Sequence, residues 1–224
     1  MTPDPVVLSW SGGKDAAMTL RRLREEGTPV AALLSVVGET GHSHLNAVPE
    51  PLLRAQAEAL GLPIHIVVAP DDPDGYTEAM RSVLQGPLAP YEELAFGDIR
   101  LEWLRVRREE RLAEAGKRAL FPLWGADTHA LAREYLRVGL RAVVTVVDLD
   151  RDGPRLSAEW LGREVDQAFL DELPEGIDPC GEDGEYHSFL FDSPDFDRPV
   201  EFESTAKPRE DANRLGLGPA PAGS

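Results

Sequence analysis

Short β-branched runs alternate with stretches of helical spacing along the first half of the chain. Val6-Val7-Leu8 is a compact apolar run that ends at a glycine pair, and Met18, Leu20 and Leu23 then recur at helical spacing over 17–26. The predicted unit is strand, tight loop, helix. Residues 30–37 read as a buried strand, 51–60 as a helix closed by Gly61, and 64–68 as a further strand. Helical patterns over 76–84 and 99–115 follow, with a short strand over 94–96 between them. The alternation predicts an α/β class fold, a doubly wound parallel sheet with right-handed crossovers.

Past Pro122 the pattern changes. It predicts a helix over 128–138, a strand over 142–147, a helix over 164–173 and an aromatic, alternating strand over 186–191. Residues 200–203 are expected to pair with that last strand, and the Pro- and Gly-rich end from Leu215 is expected to fray. The organisation expected is a doubly wound domain over 1–120, a smaller α+β domain over 121–205 and a flexible tail over 206–224. No internal repeat is present.

Composition narrows what such a fold does. The 224 residues can bury one good core or two small ones. No apolar run approaches the roughly 18 residues of a spanning helix, and MTPDPVVLSW lacks the basic start of a secretory signal, so a cytoplasmic chain without a membrane partner is expected. The single cysteine, Cys180, excludes an internal disulfide and reads as a buried structural thiol. A formal net charge of -17 disfavours nucleic acid as a partner, because that affinity depends on cations displacing counterions. The arginines between Arg100 and Arg111 are interleaved with Glu102, Glu109 and Glu110 and read as a solvated helix face.

The glycine pair carries the chemistry. In Ser11-Gly12-Gly13-Lys14-Asp15 the glycines free the backbone for an anion's approach, and the helix behind them offers its unpaired N-terminal amides. Ser9 and Ser11 add hydroxyls, and Lys14 adds a positive charge. The spacing is not that of a Walker A loop, which needs four residues between its glycines and a Ser or Thr after the Lys. The loop therefore predicts an oligophosphate site of a different class.

That string resembles the signature of the PP-loop ATP pyrophosphatases, with Ala16 where the family usually has Ser. The resemblance implies a doubly wound domain that cleaves ATP to AMP and pyrophosphate while activating a substrate as its adenylate. It assigns Ser9, Ser11, Gly12, Gly13, Lys14 and Asp15 to the nucleotide. A Mg²⁺ would neutralise the departing pyrophosphate, with Asp15 and Asp98 as metal or ribose contacts.

Further blocks resemble the diphthine-ammonia ligase family. They are Cys180-Gly181-Glu182-Asp183-Gly184-Glu185-Tyr186-His187-Ser188, Phe96-Gly97-Asp98-Ile99-Arg100, Pro122-Leu123-Trp124, and the stretch from Leu53 through Gln56-Ala57 to Gly61-Leu62-Pro63. The resemblance spans roughly 5–195 and implies an amide formed from a carboxylate and ammonia. By composition alone the turn at 181–187 is an acidic surface hairpin. The resemblance instead makes Lys14, Asp15, Glu182, Glu185 and His187 catalytic and gives Gly181, Glu182 and Asp98 to the substrate. His44 is a substrate candidate by position, since it lies in the loop after the second strand, at the edge where doubly wound folds bind ligands. That loop, 38–48, departs from the family's Glu-x-x-Ser-Tyr block. The acid is thus open between a small carboxylate and a protein-borne, diphthine-like one. A tRNA-modifying PP-loop enzyme and a non-catalytic nucleotide-binding module are the alternatives, and a homo-oligomer is compatible with each.

Overall fold

A computed structural model describes residues 3–70, 72–205 and 213–220. Five parallel strands form the central sheet: β1 (Val6–Ser9), β2 (Val30–Val37), β3 (Ile64–Val68), β4 (Glu93–Ala95) and β5 (Arg118–Leu120), in the order β3-β2-β1-β4-β5. Helices α1 (Lys14–Glu25), α2 (Glu50–Leu60), α3 (Pro73–Gln85) and α4 (Glu102–Glu114) connect them. The order reverses at β1, which pairs with β2 on one side and β4 on the other. A crevice at that reversal is where doubly wound sheets take ligands.

Side-chain alternation along β1 feeds both faces. Val6 and Leu8 join a core with Leu20 and Leu23 of α1 and Leu53 of α2, while Val7 packs with Met80 and Leu84 of α3 and Leu112 of α4. Helix α2 starts with Pro51 in its first turn and ends on Gly61 at φ 66, as the sequence signals require. Asp72 caps α3 by accepting the Gly75 N–H, which starts that helix three residues before its apolar pattern.

The second half adds α5 (Thr128–Arg137), β6 (Arg141–Val147), α6 (Gln167–Glu172) and β7 (Tyr186–Asp192), with β6 and β7 antiparallel. Ala142, Phe189 and Leu190 share the core of β1, α1 and α2, so this hairpin is packed directly onto the sheet domain. Its other face, with Val144 and Tyr186, closes over Phe169 of α6.

Two expectations are corrected, and one strand had not been expected. Strand β5 has no counterpart in the sequence pattern. β8 (Phe202–Thr205) pairs with β9 (Gly216–Pro219) rather than with β7; only Val200 N–H reaches β7's Phe191 carbonyl. The helix expected over 164–173 is only Gln167–Glu172, because Glu164 bridges to Val143 and Asp166 caps the helix at the Phe169 N–H. Of the tail expected from 206, residues 206–212 and 221–224 lie outside the described residues. No helix among the described residues is long and apolar enough to cross a membrane.

Candidate active site

A cleft of about 790 Å³ opens at the carboxyl ends of β1 and β2. Ser9, Ser11, His44, Glu182 and His187 line it, so five of the residues singled out above, from three distant stretches of chain, meet in one cavity. Gly12, Gly13, Lys14, Asp15, Asp98, Gly181 and Glu185 do not line it.

The glycines serve close protein contacts. Gly12 has φ 83, and a Cβ there would stand 2.9 Å from Leu53 Cδ2. A Cβ on Gly13 would meet Asn46 Nδ2 at 2.4 Å and the Ser188 carbonyl at 3.0 Å. Gly13 starts α1 with no side-chain cap. The Lys14 N–H is held only by a long 3.4 Å bond to Ser188 Oγ, which an anion can replace.

Lys14 departs most from expectation. Its side chain is buried, and its ammonium donates to the Cys180 carbonyl at 2.5 Å and pairs with Asp15 at 3.1 Å. The Tyr186 ring lies 4.9 Å away. Desolvation alone would lower its pKa, but Asp15, Tyr186 and Cys180 outweigh it and the net direction is upward. Asp15 completes the cluster by accepting the Tyr135 O–H at 2.7 Å, so both its oxygens are engaged inside the protein. Burial, opposed by Lys14, pushes the Cys180 thiol up to about 12; it stays neutral and donates to the Thr128 carbonyl at 3.3 Å.

The second-half turn is built around its own acids. Glu182 Oε1 accepts the Ile99 N–H at 2.8 Å and the Arg100 N–H at 3.1 Å, tying the turn to the loop after β4. Desolvation raises its pKa against those two bonds. Glu185 points inward, fully buried, accepting the Asp178 N–H at 3.0 Å with Arg151 at 3.6 Å. Gly181 is at φ 69, and a Cβ there would stand 2.6 Å from the Tyr186 carbonyl. Asp98 is taken by Arg108 through two bonds of 2.5 and 3.1 Å, so the cleft sees the arginine and not the carboxylate.

Burial first, then the Lys14 charge, pulls His187 down to about 4, so its ring is neutral at pH 7. A depressed folded value stabilises the fold fully above the ordinary histidine pKa of roughly 6.5 and loses that contribution as pH falls toward 4. The stability gap between wild type and His187→Gln should therefore shrink by up to about 3 kcal/mol between pH 7 and pH 4, read by urea unfolding. A gap that does not change with pH would show that the ring is not desolvated.

Several contributors carried no role in the sequence reading. Asn46 is buried on the cleft wall, donating to the Ser188 carbonyl at 2.7 Å, and the next residue, Ala47, is the one described non-glycine at positive φ, 53°. Gln56 accepts the Trp10 indole N–H at 2.8 Å and donates to the Gly12 and Leu190 carbonyls at 2.9 and 2.6 Å. Arg107, Arg108 and Arg111, read above as a solvated face, line the cleft.

A five-stranded parallel sheet whose first strand feeds a Ser-Gly-Gly-Lys-Asp turn at the order reversal defines a doubly wound α/β protein of the PP-loop kind. The chain belongs to the diphthamide synthase family: the diphthamide synthase N-terminal domain matches residues 5–119 and the C-terminal domain matches residues 127–214. Similar relatives include the diphthine–ammonia ligase of Danio rerio, 26% identical over 87% of this chain and 85% of its own. That of Homo sapiens is 24% identical over 87% and 81%. A crystal structure described as a predicted subunit of tRNA methyltransferase from Methanocaldococcus jannaschii DSM aligns over 68% of this chain and 80% of its own, with a TM-score of 0.40 and 16% identity.

Proposed function

We propose that the chain is an ATP-dependent, AMP-forming ligase that joins a carboxylate to ammonia as an amide. The observation that carries this reading is the single cleft in which Ser9 and Ser11 of the first strand's turn face Glu182 and His187 of the C-terminal turn. Adenylation and aminolysis need such a juxtaposition, since an acyl adenylate must meet ammonia before water.

In the first step a carboxylate oxygen attacks the α-phosphorus of ATP and pyrophosphate leaves. The Ser9 and Ser11 hydroxyls and the N-terminal amides of α1 stabilise the leaving charge, the Lys14 N–H exchanging its long bond to Ser188 for a phosphate oxygen. In the second, the ammonia nitrogen attacks the acyl carbon, AMP leaves, and the nitrogen's surplus proton passes to a base. Glu182 suits that role because its pKa is raised and Oε1 alone takes the two backbone bonds. His187, neutral at pH 7, orients ammonia by hydrogen bonding. Glu185 holds the turn in shape.

Mg²⁺, when bound, would supply charge neutralisation on the pyrophosphate. Among the described residues no group of three or more His, Cys, Asp or Glu is arranged to hold a metal. Mg²⁺ fits nonetheless, because it is commonly carried by substrate phosphates with one or two carboxylates and waters. Asp15, the expected ligand, has both oxygens on Lys14 and Tyr135, and Glu182 is kept as the base, so the phosphates and waters would hold most of the ion's sites.

Within this reading, 1–120 binds ATP and shares the cleft with 121–205, which brings the groups that act on ammonia, in the cytoplasm. The test is product analysis with ATP, Mg²⁺, ammonia and a panel of carboxylates. Acid- and ammonia-dependent AMP and pyrophosphate are expected; α-labelled ATP yielding ADP under turnover would overturn the ligase.

A further inference from the structure

The cleft carries cations to which the steps above give no role. Helix α4 turns Leu104, Arg107, Arg108 and Arg111 into it, spaced i, i+3, i+4 and i+7, which is one face of a helix. Arg108 is neutralised by Asp98. The guanidiniums of Arg107 and Arg111 have no hydrogen bond or ion pair among the described residues, in a chain where 40 acidic residues face 23 basic ones. Arg111 is nevertheless held in place, its guanidinium 4.7 Å from the Tyr76 ring, which itself sits edge-on to His44.

The acids of the same cleft are already engaged. Asp72 caps α3, Glu182 takes the Ile99 and Arg100 N–H groups, and Asp183 pairs with Arg100 at 2.8 Å. Two uncompensated guanidiniums therefore face the cavity, beside the apolar surfaces of Leu45 (57% exposed) and Trp103 (62% exposed). They are set away from the Glu182 turn. At a rise of about 1.5 Å per residue they stand about 7.5 and 13.5 Å down the helix from Glu102, whose end of α4 adjoins the Glu182 turn.

We infer that Arg107 and Arg111 form a subsite for a second anionic group on the acid substrate, so that the acid is a small dianion with an apolar or aromatic frame. This rests on the ligase reading only for calling the bound acid the substrate. Paired guanidiniums bind carboxylates and phosphates in forked geometry, and a fixed cationic wall rejects acids whose far end carries a cation. The frame between the two anionic ends would lie against Trp103, Leu104 and Leu45.

Calorimetry on the full chain, loaded with α,β-methylene-ATP, tests this. The probes are 3-phenylpropionate, its 4-carboxy derivative, its 4-phosphate derivative and its 4-trimethylammonio derivative. Wild type should bind one or both dianions at least about ten-fold more tightly than the monoacid, and the cationic acid most weakly. The better of the two dianions says whether the second group is a carboxylate or a phosphate. Arg107→Gln/Arg111→Gln should abolish that preference while nucleotide affinity stays within about three-fold. Arg107→Glu/Arg111→Glu should invert it toward the cationic acid, a gain that misfolding cannot mimic. The inference fails if wild type shows no preference, if the preference survives in both variants, or if nucleotide affinity falls alongside it, which would give the arginines to ATP. Arginine-dependent dianion binding without AMP formation from any acid would leave the subsite standing and remove the ligase reading.

Discussion

Replacing Lys14 by Met should lower the unfolding free energy by about 3 kcal/mol in the absence of nucleotide, the low end for breaking one side of a buried ion pair. Met keeps the volume of the stem but removes the donor to the Cys180 carbonyl and the partner of Asp15. Asp15 keeps its bond from Tyr135, and its side chain is 31% exposed, so it is not stranded in a dry site. That partial relief argues for the low end. Because the ammonium links the start of α1 to a carbonyl 166 residues away, the loss should appear as global unfolding in urea. The folded pKa is raised, so the contribution is complete below the ordinary lysine value of roughly 10.4 and disappears only above it. The gap between wild type and variant should hence stay flat from pH 6 to pH 9. Unchanged stability together with lost ATP affinity would show instead that the ammonium swings out to the phosphates.

What was legible in the sequence was local. The run Val6-Val7-Leu8, the glycine pair and the apolar positions of α1 specify strand, turn and helix from contacts within twenty residues. Strand β5 was not legible, because Arg118-Ala119-Leu120 is too short to show a period and its pairing with β4 is settled only by the assembled sheet. Charge pattern likewise cannot say which side of a helix faces a cavity: interleaved Glu and Arg read as solvent, whereas three arginines of α4 face the cleft. The directions of Lys14 and Glu185 were beyond reach for a related reason. A charged side chain goes inward only when distant partners meet it, and those partners are the Cys180 carbonyl for Lys14 and Arg151 for Glu185. Gln56 did leave a signal. It is a polar residue within the apolar stripe of α2, between the buried Leu53 and Leu60, where only a satisfied amide can sit.

That amide gives the second large effect. Gln56→Leu should cost about 3 kcal/mol of stability, from leaving the buried Trp10 indole N–H and the Leu190 carbonyl without these bonds, at about 1–3 kcal/mol for each group. Gly12 is cushioned, since its carbonyl also accepts the Leu190 N–H at 2.8 Å. Leucine fills a similar volume, so a cavity contributes little and the loss reports hydrogen bonding. The consequence for function follows from position. Trp10 and Gly12 flank Ser11 and are fixed by the two ends of one side chain, so freeing both loosens the turn's grip on phosphate. The KM for ATP should rise about ten-fold even at temperatures where the variant is fully folded, because a misplaced turn loses roughly one good hydrogen bond to phosphate. Gln56→Glu separates the two effects. It keeps an acceptor for Trp10 but sets a carboxylate against two carbonyl oxygens, which raises the folded pKa, so it should be as destabilised as the leucine variant at pH 8 and recover as pH falls from that raised value toward the ordinary carboxylate pKa of roughly 4.3. Urea unfolding at both pH values reads the first effect and ATP titration the second. A leucine variant with wild-type stability and wild-type ATP affinity would mean that α2 does not set the phosphate turn.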